Sequence, residues 1–291
     1  MGKGIPAHLI EATERAARRW IGRAQPWPDR LARCGFVAKG ALFLLVGGLA
    51  AAQAAGLGGA ATDQSGALVM LRQAPAGRLA LVVVALGLLA HAGFRGALVL
   101  TGEPYDDRGR ALRALRRMAN VVSAAFYLGL AITAGALAFS ARAQRHADKD
   151  AATRHWSARL LSAPFGRPLL IGIAVAIVVA AVVQLVRAFL PSTGHLRMRI
   201  EDMSARELQT VSAVGRIAFV ARAAVLAVVG YFLIEAAVHG APRLSRGAAG
   251  ALRAVREQPH GHLLLGLLAT GLMAFGAHGL LEARWHRLFG R

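Results

Sequence analysis

The 291-residue chain is 56% hydrophobic and only 17% charged. A water-soluble domain carries about 45–50% apolar and about 25% charged residues, so a single ordinary soluble domain is excluded. The net charge of +20 lies in clusters between long uncharged runs. That pattern assigns the basicity to loops against anionic headgroups rather than to nucleic acid.

In chain order, residues 1–30 form a basic segment. Within it, residues 8–25 place Ile10, Ala17, Trp20 and Ile21 on one helical face with arginines beside it. An interfacial amphipathic helix on the cytoplasmic leaflet is expected, with a basic tail of no fixed structure as the alternative. No stretch before residue 35 has the short hydrophobic core of a cleavable signal, so the first span is expected to stay in the membrane. Uncharged runs follow at 40–62, 79–94, 118–141, 168–186 and 258–281. A sixth, 217–242, is broken by Arg222 and Glu235. A bilayer core needs about 20 apolar residues per helix. The fold class expected is all-α, an integral membrane protein with six transmembrane helices.

The runs repeat in pairs. Ala74-Pro75-Ala76-Gly77-Arg78 returns as Ala163-Pro164-Phe165-Gly166-Arg167 and as Gln258-Pro259-His260-Gly261-His262. Each copy follows a short half-apolar segment and precedes an even-numbered run. The odd runs open alike, Arg33-Cys34-Gly35-Phe36-Val37-Ala38-Lys39 matching Arg216-Ile217-Ala218-Phe219-Val220-Ala221-Arg222, with Arg117-Met118-Ala119-Asn120 as a degenerate middle copy. Three tandem helical hairpins are expected, at 31–102, 115–190 and 214–285. Two spans per unit give all three the same orientation, hence parallel repeats about an axis along the membrane normal.

The Pro-x-Gly corners have a structural reading. Pro ends the short helix before it and fits the first turn of the next. Gly allows a tight bend, and the following Arg or His anchors the span at headgroup level. A ligand-gripping loop is the alternative. Lys and Arg number nineteen in the segments on the terminal side and twelve on the corner side, which places both termini in the cytoplasm. Small-residue stripes at Gly47, Ala51, Ala55 and Gly59, and at Gly266, Thr270 and Ala274, are expected to pack helices closely.

Ionisable groups inside a membrane are costly and mark candidate sites. Lys39 and Arg222 occupy equivalent positions in the first and third units. Two readings stand: snorkelling to the cytoplasmic interface, or an internal polar site. Arg95 lies about 25 Å along its helix from Arg78 and is expected to anchor the opposite interface. Glu235 is expected near the outer surface, with a proton-coupled carboxylate as the alternative. His91 and His278 lie at compatible depths, which leaves a bis-histidine haem site open beside a structural role. His239, His260 and His262 cluster on the outer side, where a metal is the lesser reading. No cofactor is expected. The single Cys34 excludes an intramolecular disulfide, and no catalytic motif is present.

The opening at 32–40, the Gln-x-Pro-x-Gly-Arg corner at 73–78 and the Gly-Leu-Leu-Ala run at 87–90 resemble the bacterial membrane family of domain of unknown function 1206. The resemblance covers about 31–285 and implies three two-helix units in a bacterial inner membrane, with no catalytic residues to carry over. The functional expectation is a non-enzymatic scaffold or partner-binding protein, with a membrane-protein partner or a second copy as candidate partners. Permeation of an ion or small molecule through polar residues about a pseudo-threefold axis is the alternative.

Overall fold

Apart from Pro242 at the end of the sixth, the apolar runs contain no proline after their first turn, so each continues as helix until a capping or breaking residue stops it. The structure, a computed structural model, describes residues 27–58, 62–101, 110–140, 149–190 and 203–285. The amphipathic segment expected at 8–25 and Gly59 lie outside the described residues. Six helices are long and apolar enough to cross a membrane. These are α1 Trp27–Ala54, α3 Gly77–Thr101, α4 Arg110–Phe139, α6 Gly166–Phe189, α7 Ala205–His239 and α9 Gly261–Trp285. Three short helices precede the even spans: α2 Gln64–Gln73, α5 Lys149–Leu161 and α8 Ala248–Arg256. Among the described residues there is no strand. The protein is therefore an all-α, six-span membrane protein built from three parallel helical hairpins.

Local chemistry sets the ends. The second run has 16 uncharged residues in sequence, yet α3 is 25 residues long because Arg95 is taken into it. Ser204 and Glu207 close a capping box that starts α7 well ahead of its apolar run, and Gly240 at φ +61° ends it. Asp63 caps α2 by accepting from the backbone N–H groups of Ser65 and Gly66 at 3.1 and 3.0 Å. Leu79, Val83, Leu86 and Leu89 of α3 point outward and are exposed, as a lipid-facing stripe should be.

Packed neighbours follow the chain around the bundle. Helix α1 packs on α3, α3 on α4, α6 on α7, α7 on α9, and α9 returns to α1. The most extensive contacts join different repeats: α9 with α1, α3 with α4 and α6 with α7. Among the described residues α4 and α6, the two spans of the middle hairpin, are not packed against one another. The ring is open there.

Residue size explains the opening. Aligning the corners puts Gly87 over Gly271 and Ala176, and aligning the odd-span openings puts Ala38 over Ala221 and Val122. In the first hairpin Gly87 lies directly against Ala38, and in the third Gly271 lies against Ala221, so closely that a methyl group on either glycine would overlap the alanine. The middle hairpin carries a β-branched valine and an alanine at these positions instead, and the crossing is absent. Val122 is 68% exposed.

The seams between repeats use small residues as well. A methyl group on Gly276 would come within 2.7 Å of the Gly40 carbonyl oxygen, and one on Gly40 within 2.8 Å of the Gly276 oxygen. Backbones this close gain dispersion contact along the whole seam. Gly47 against Met273 recurs as Gly230 against Val178. Of the stripe expected at Gly266, Thr270 and Ala274, Gly266 lies against the end of α1, where a methyl group would stand 3.8 Å from Ala54 Cβ, and Ala274 packs on the core. Gly276 and Gly279 face α1, Gly271 faces α7, and Thr270 is exposed and turns its hydroxyl back to the Gly266 carbonyl at 2.9 Å.

Candidate functional site

The corners fold alike in all three units. Ala76, Phe165 and His260, the residues between Pro and Gly, adopt φ of 57°, 62° and 60°. The strained left-handed residue is thus the x of Pro-x-Gly, while Gly77, Gly166 and Gly261 begin their helices. Glycine is needed for room: a methyl group there would run into a carbonyl oxygen of the short helix, that of Leu71, Leu160 or Arg256. The tight bend expected of the glycine is therefore made one residue earlier. Pro75, Pro164 and Pro259 are all exposed.

The residue after the glycine reaches across a repeat boundary. His262 Nδ1 lies 3.3 Å from the Ala54 carbonyl oxygen at the end of α1. Arg167 donates through Nη2 to the Val238 carbonyl oxygen at the end of α7. Both meet orphan carbonyls at the negative end of a helix dipole. Arg78, their counterpart in the first unit, is exposed.

The buried polar cluster sits on the opposite side, where α1, α3, α4, α7 and α9 converge. Lys39 is 6% exposed, and its ammonium lies 3.9 Å from Glu282 Oε2. The same ammonium stands 4.9 Å from the centre of the Phe275 ring and 5.4 Å from that of Phe36. The Arg222 guanidinium lies 4.7 Å from the Phe275 centre and 5.6 Å from that of Phe43. Phe275 on α9 thus meets two cations, one from α1 and one from α7. Ring quadrupoles attract cations most strongly where water is excluded. Glu282, Tyr127, Arg95 and Arg222 are the ionisable neighbours of Lys39.

Arg95 and Asn120 carry the cluster to the other seam, the guanidinium Nη1 donating to Asn120 Oδ1 at 3.1 Å. Asn120 occupies the position of Phe36 and Phe219, so the departure in the middle copy supplies an acceptor for an arginine of the first. His91 is fully buried. Its ring centre lies 5.1 Å from Phe36, 4.5 Å from Tyr127 and 6.2 Å from Phe94. His278 packs on Phe219 at 5.3 Å.

These ring contacts obey the repeat. By corner alignment His91 is equivalent to Phe275 and Phe94 to His278, while Phe43 is equivalent to Tyr127. The His91–Tyr127 pair at 4.5 Å therefore matches Phe275–Phe43 at 4.6 Å. Phe36–Phe94 at 5.6 Å matches Phe219–His278 at 5.3 Å. Both histidines occupy aromatic packing positions, each in its own ring cluster.

The remaining candidates lie apart from the cluster. Glu235 is half-buried, and its carbonyl oxygen meets His239 Nδ1 at 2.9 Å. His262 is committed to α1 and His260 to a corner. Among the described residues no group of three His, Cys, Asp or Glu is placed to hold a metal ion. Sequence inspection missed Glu282, Phe275 and Tyr127. Their signal was faint: Glu282 falls one residue beyond the last apolar run, and the two aromatics look like ordinary span residues.

The family described as Domain of Unknown Function (DUF1206) matches residues 34–102, 119–190 and 217–286. The chain is also similar to a Bacillus subtilis (strain 168) protein described as uncharacterized protein YxxB. The two are 34% identical over 269 residues, which cover 91% of this chain and 93% of the relative. No solved structure matches.

Proposed function

We propose a role for this chain, which belongs to the domain of unknown function 1206 family: it is a non-enzymatic scaffold of the bacterial inner membrane, with both termini cytoplasmic, and it takes up a transmembrane helix of a partner protein. One observation carries the reading. Three basic side chains of the spans join helices: Lys39 to Glu282, Arg222 to Phe275, Arg95 to Asn120. A permeation protein needs such groups on a shared hydrated path, whereas here they face rings and neighbouring side chains.

The open side of the ring supports the choice of partner. Helix α6 is the most apolar span, with a mean hydropathy of 3.0, and the least enclosed, with 17% of its most apolar stretch buried. Val122 and Ala176 prevent α4 and α6 from closing on each other, so the place is kept for another helix. Anionic headgroups against the basic cytoplasmic loops complete the setting.

The test places a photo-crosslinking amino acid at 122 on α4 and at 176 on α6 in native membranes, with exposed Leu267 on α9 as control. The expected result is one membrane protein captured from both positions and absent from the control, which then forms a 1:1 complex with the purified chain in nanodiscs. Lipid adducts alone, or self-adducts, overturn the partner reading. Ion flux in proteoliposomes that is abolished by Arg222→Leu would replace the scaffold with a permeation protein.

A further inference from the structure

In the first unit Lys39 meets a carboxylate across the α1–α9 seam, Glu282 at 3.9 Å. Arg222 holds the equivalent position in the third unit, on α7, whose seam partner from the repeat before it is α6. Corner alignment carries Glu282 onto Arg187 of α6. The acid that answers Lys39 is therefore replaced, at the second seam, by another cation. Among the described residues the Arg222 guanidinium meets the rings of Phe43 and Phe275 and makes no hydrogen bond or ion pair. A guanidinium lying against rings keeps the N–H donors of its edge for an acceptor. A charge inside a membrane is costly, and such groups are normally found paired.

The Arg222 side chain points into the ring of helices. Phe43 belongs to α1, one helix beyond α9 in the order of packed neighbours, so Arg222 reaches it across the interior. Tyr127 of α4 and Arg222 are both neighbours of Lys39, which extends the interior to the edge of the opening between α4 and α6. Arg222 itself is half-buried. A helix seated in the opening would stand one place beyond α6, as α1 stands one place beyond α9. Depth favours a helix over a lipid headgroup. Arg222 is the central residue of α7, and Phe275 lies ten residues before the end of α9, about 15 Å along the helix. A phosphate at headgroup level would have to descend that far, whereas a side chain on a neighbouring span starts at this depth.

We infer, on the reading that the open side takes up a partner's transmembrane helix, that this helix carries an aspartate or glutamate near its middle and that the carboxylate pairs with Arg222. The planar fork of arginine matches a carboxylate with two parallel N–H···O bonds. Side chains that hydrogen-bond across helices hold spans together in lipid, where the hydrophobic effect does not.

The purified full-length protein, with the photo-crosslinking amino acid at 122 or at 176, is placed in nanodiscs with one of two synthetic leucine–alanine transmembrane helices. One carries a single central Glu and the other a central Gln. The Glu helix should be captured at least tenfold more than the Gln helix from both positions. Arg222→Gln should bring the two to the same level. Arg222→Lys, which keeps the charge, should preserve the preference for Glu, and melting curves show that each variant is folded. Equal capture of the two helices by the unsubstituted protein overturns the pairing and leaves the open side as a place for a helix. Capture of neither overturns it too, and the cross-links in native membranes then decide the partner reading separately. Phosphatidylglycerol retained in native mass spectrometry by the unsubstituted protein but lost in Arg222→Gln would assign the guanidinium to a headgroup, which also overturns the pairing.

Discussion

The Lys39 ammonium on α1 lies 3.9 Å from the Glu282 carboxylate on α9, so an ion pair joins the first span to the last. The lysine is buried and the carboxylate is partly buried. Removing one partner leaves an uncompensated charge, which is strongly destabilising, whereas replacing both by apolar groups is often tolerated. Lys39→Met and Glu282→Gln should each cost roughly 3 kcal/mol. The double replacement Lys39→Met with Glu282→Leu should recover most of that loss. A double-mutant cycle read by thermal unfolding in detergent checks this, and simple additivity of the single effects would rule out the coupling.

The Gly87–Ala38 and Gly271–Ala221 crossings are predicted to hold their hairpins, and the middle hairpin is predicted to lack that dependence. Gly87→Val and Gly271→Val should each cost about 1–3 kcal/mol through overpacking. Ala176→Val, at the equivalent position on α6, should stay within about 0.5 kcal/mol because it touches no opposing helix. The comparison needs three melting curves. Equal destabilisation at all three positions would mean that α4 and α6 do meet.

Much of this architecture is legible in one dimension. Span number follows from the length of apolar runs, and the repeats follow from self-similarity at the corners. What the sequence does not display is which face of a helix meets which neighbour. Small residues four apart mark a possible seam on any face. The closest approach of α9 to α1 is at Gly276 against Gly40, which the spacing of small residues alone does not mark. The open ring was written in Val122 and Ala176, but their sizes matter only once the equivalent residues are seen to touch. Glu282 escaped notice for a simpler reason, since a charge near the end of a span reads as an interfacial anchor.

Asn120 is the departure that the sequence did expose, and the structure supplies its cause. Its carboxamide oxygen accepts from Arg95 across the α3–α4 seam. Asn120→Phe would restore the residue of the other two repeats yet remove this acceptor. A hydrogen bond to a charged group contributes about 1.5–3 kcal/mol, so the variant should be destabilised by an amount in that range. Unchanged unfolding would show that the ring packing of Phe compensates fully.

The three corners give an internally controlled prediction, because the same backbone is presented with three different residues. At Ala76, Phe165 and His260 the backbone is left-handed, a conformation that costs an L-residue roughly 1 kcal/mol relative to glycine. Ala76→Gly should therefore stabilise by a few tenths of a kcal/mol to about 1 kcal/mol, the gain being offset in part by the entropy of the unfolded chain. One residue later the preference reverses. Gly77→Ala, Gly166→Ala and Gly261→Ala each drive a methyl group into a carbonyl oxygen of the short helix, and the backbone must shift to accept it. Each should lower the melting temperature, with a loss of about 1–3 kcal/mol. A left-handed glycine would give the opposite ordering. If Gly77→Ala proves neutral while Ala76→Gly destabilises, the bend is made at the glycine after all, and the shared corner geometry is wrong.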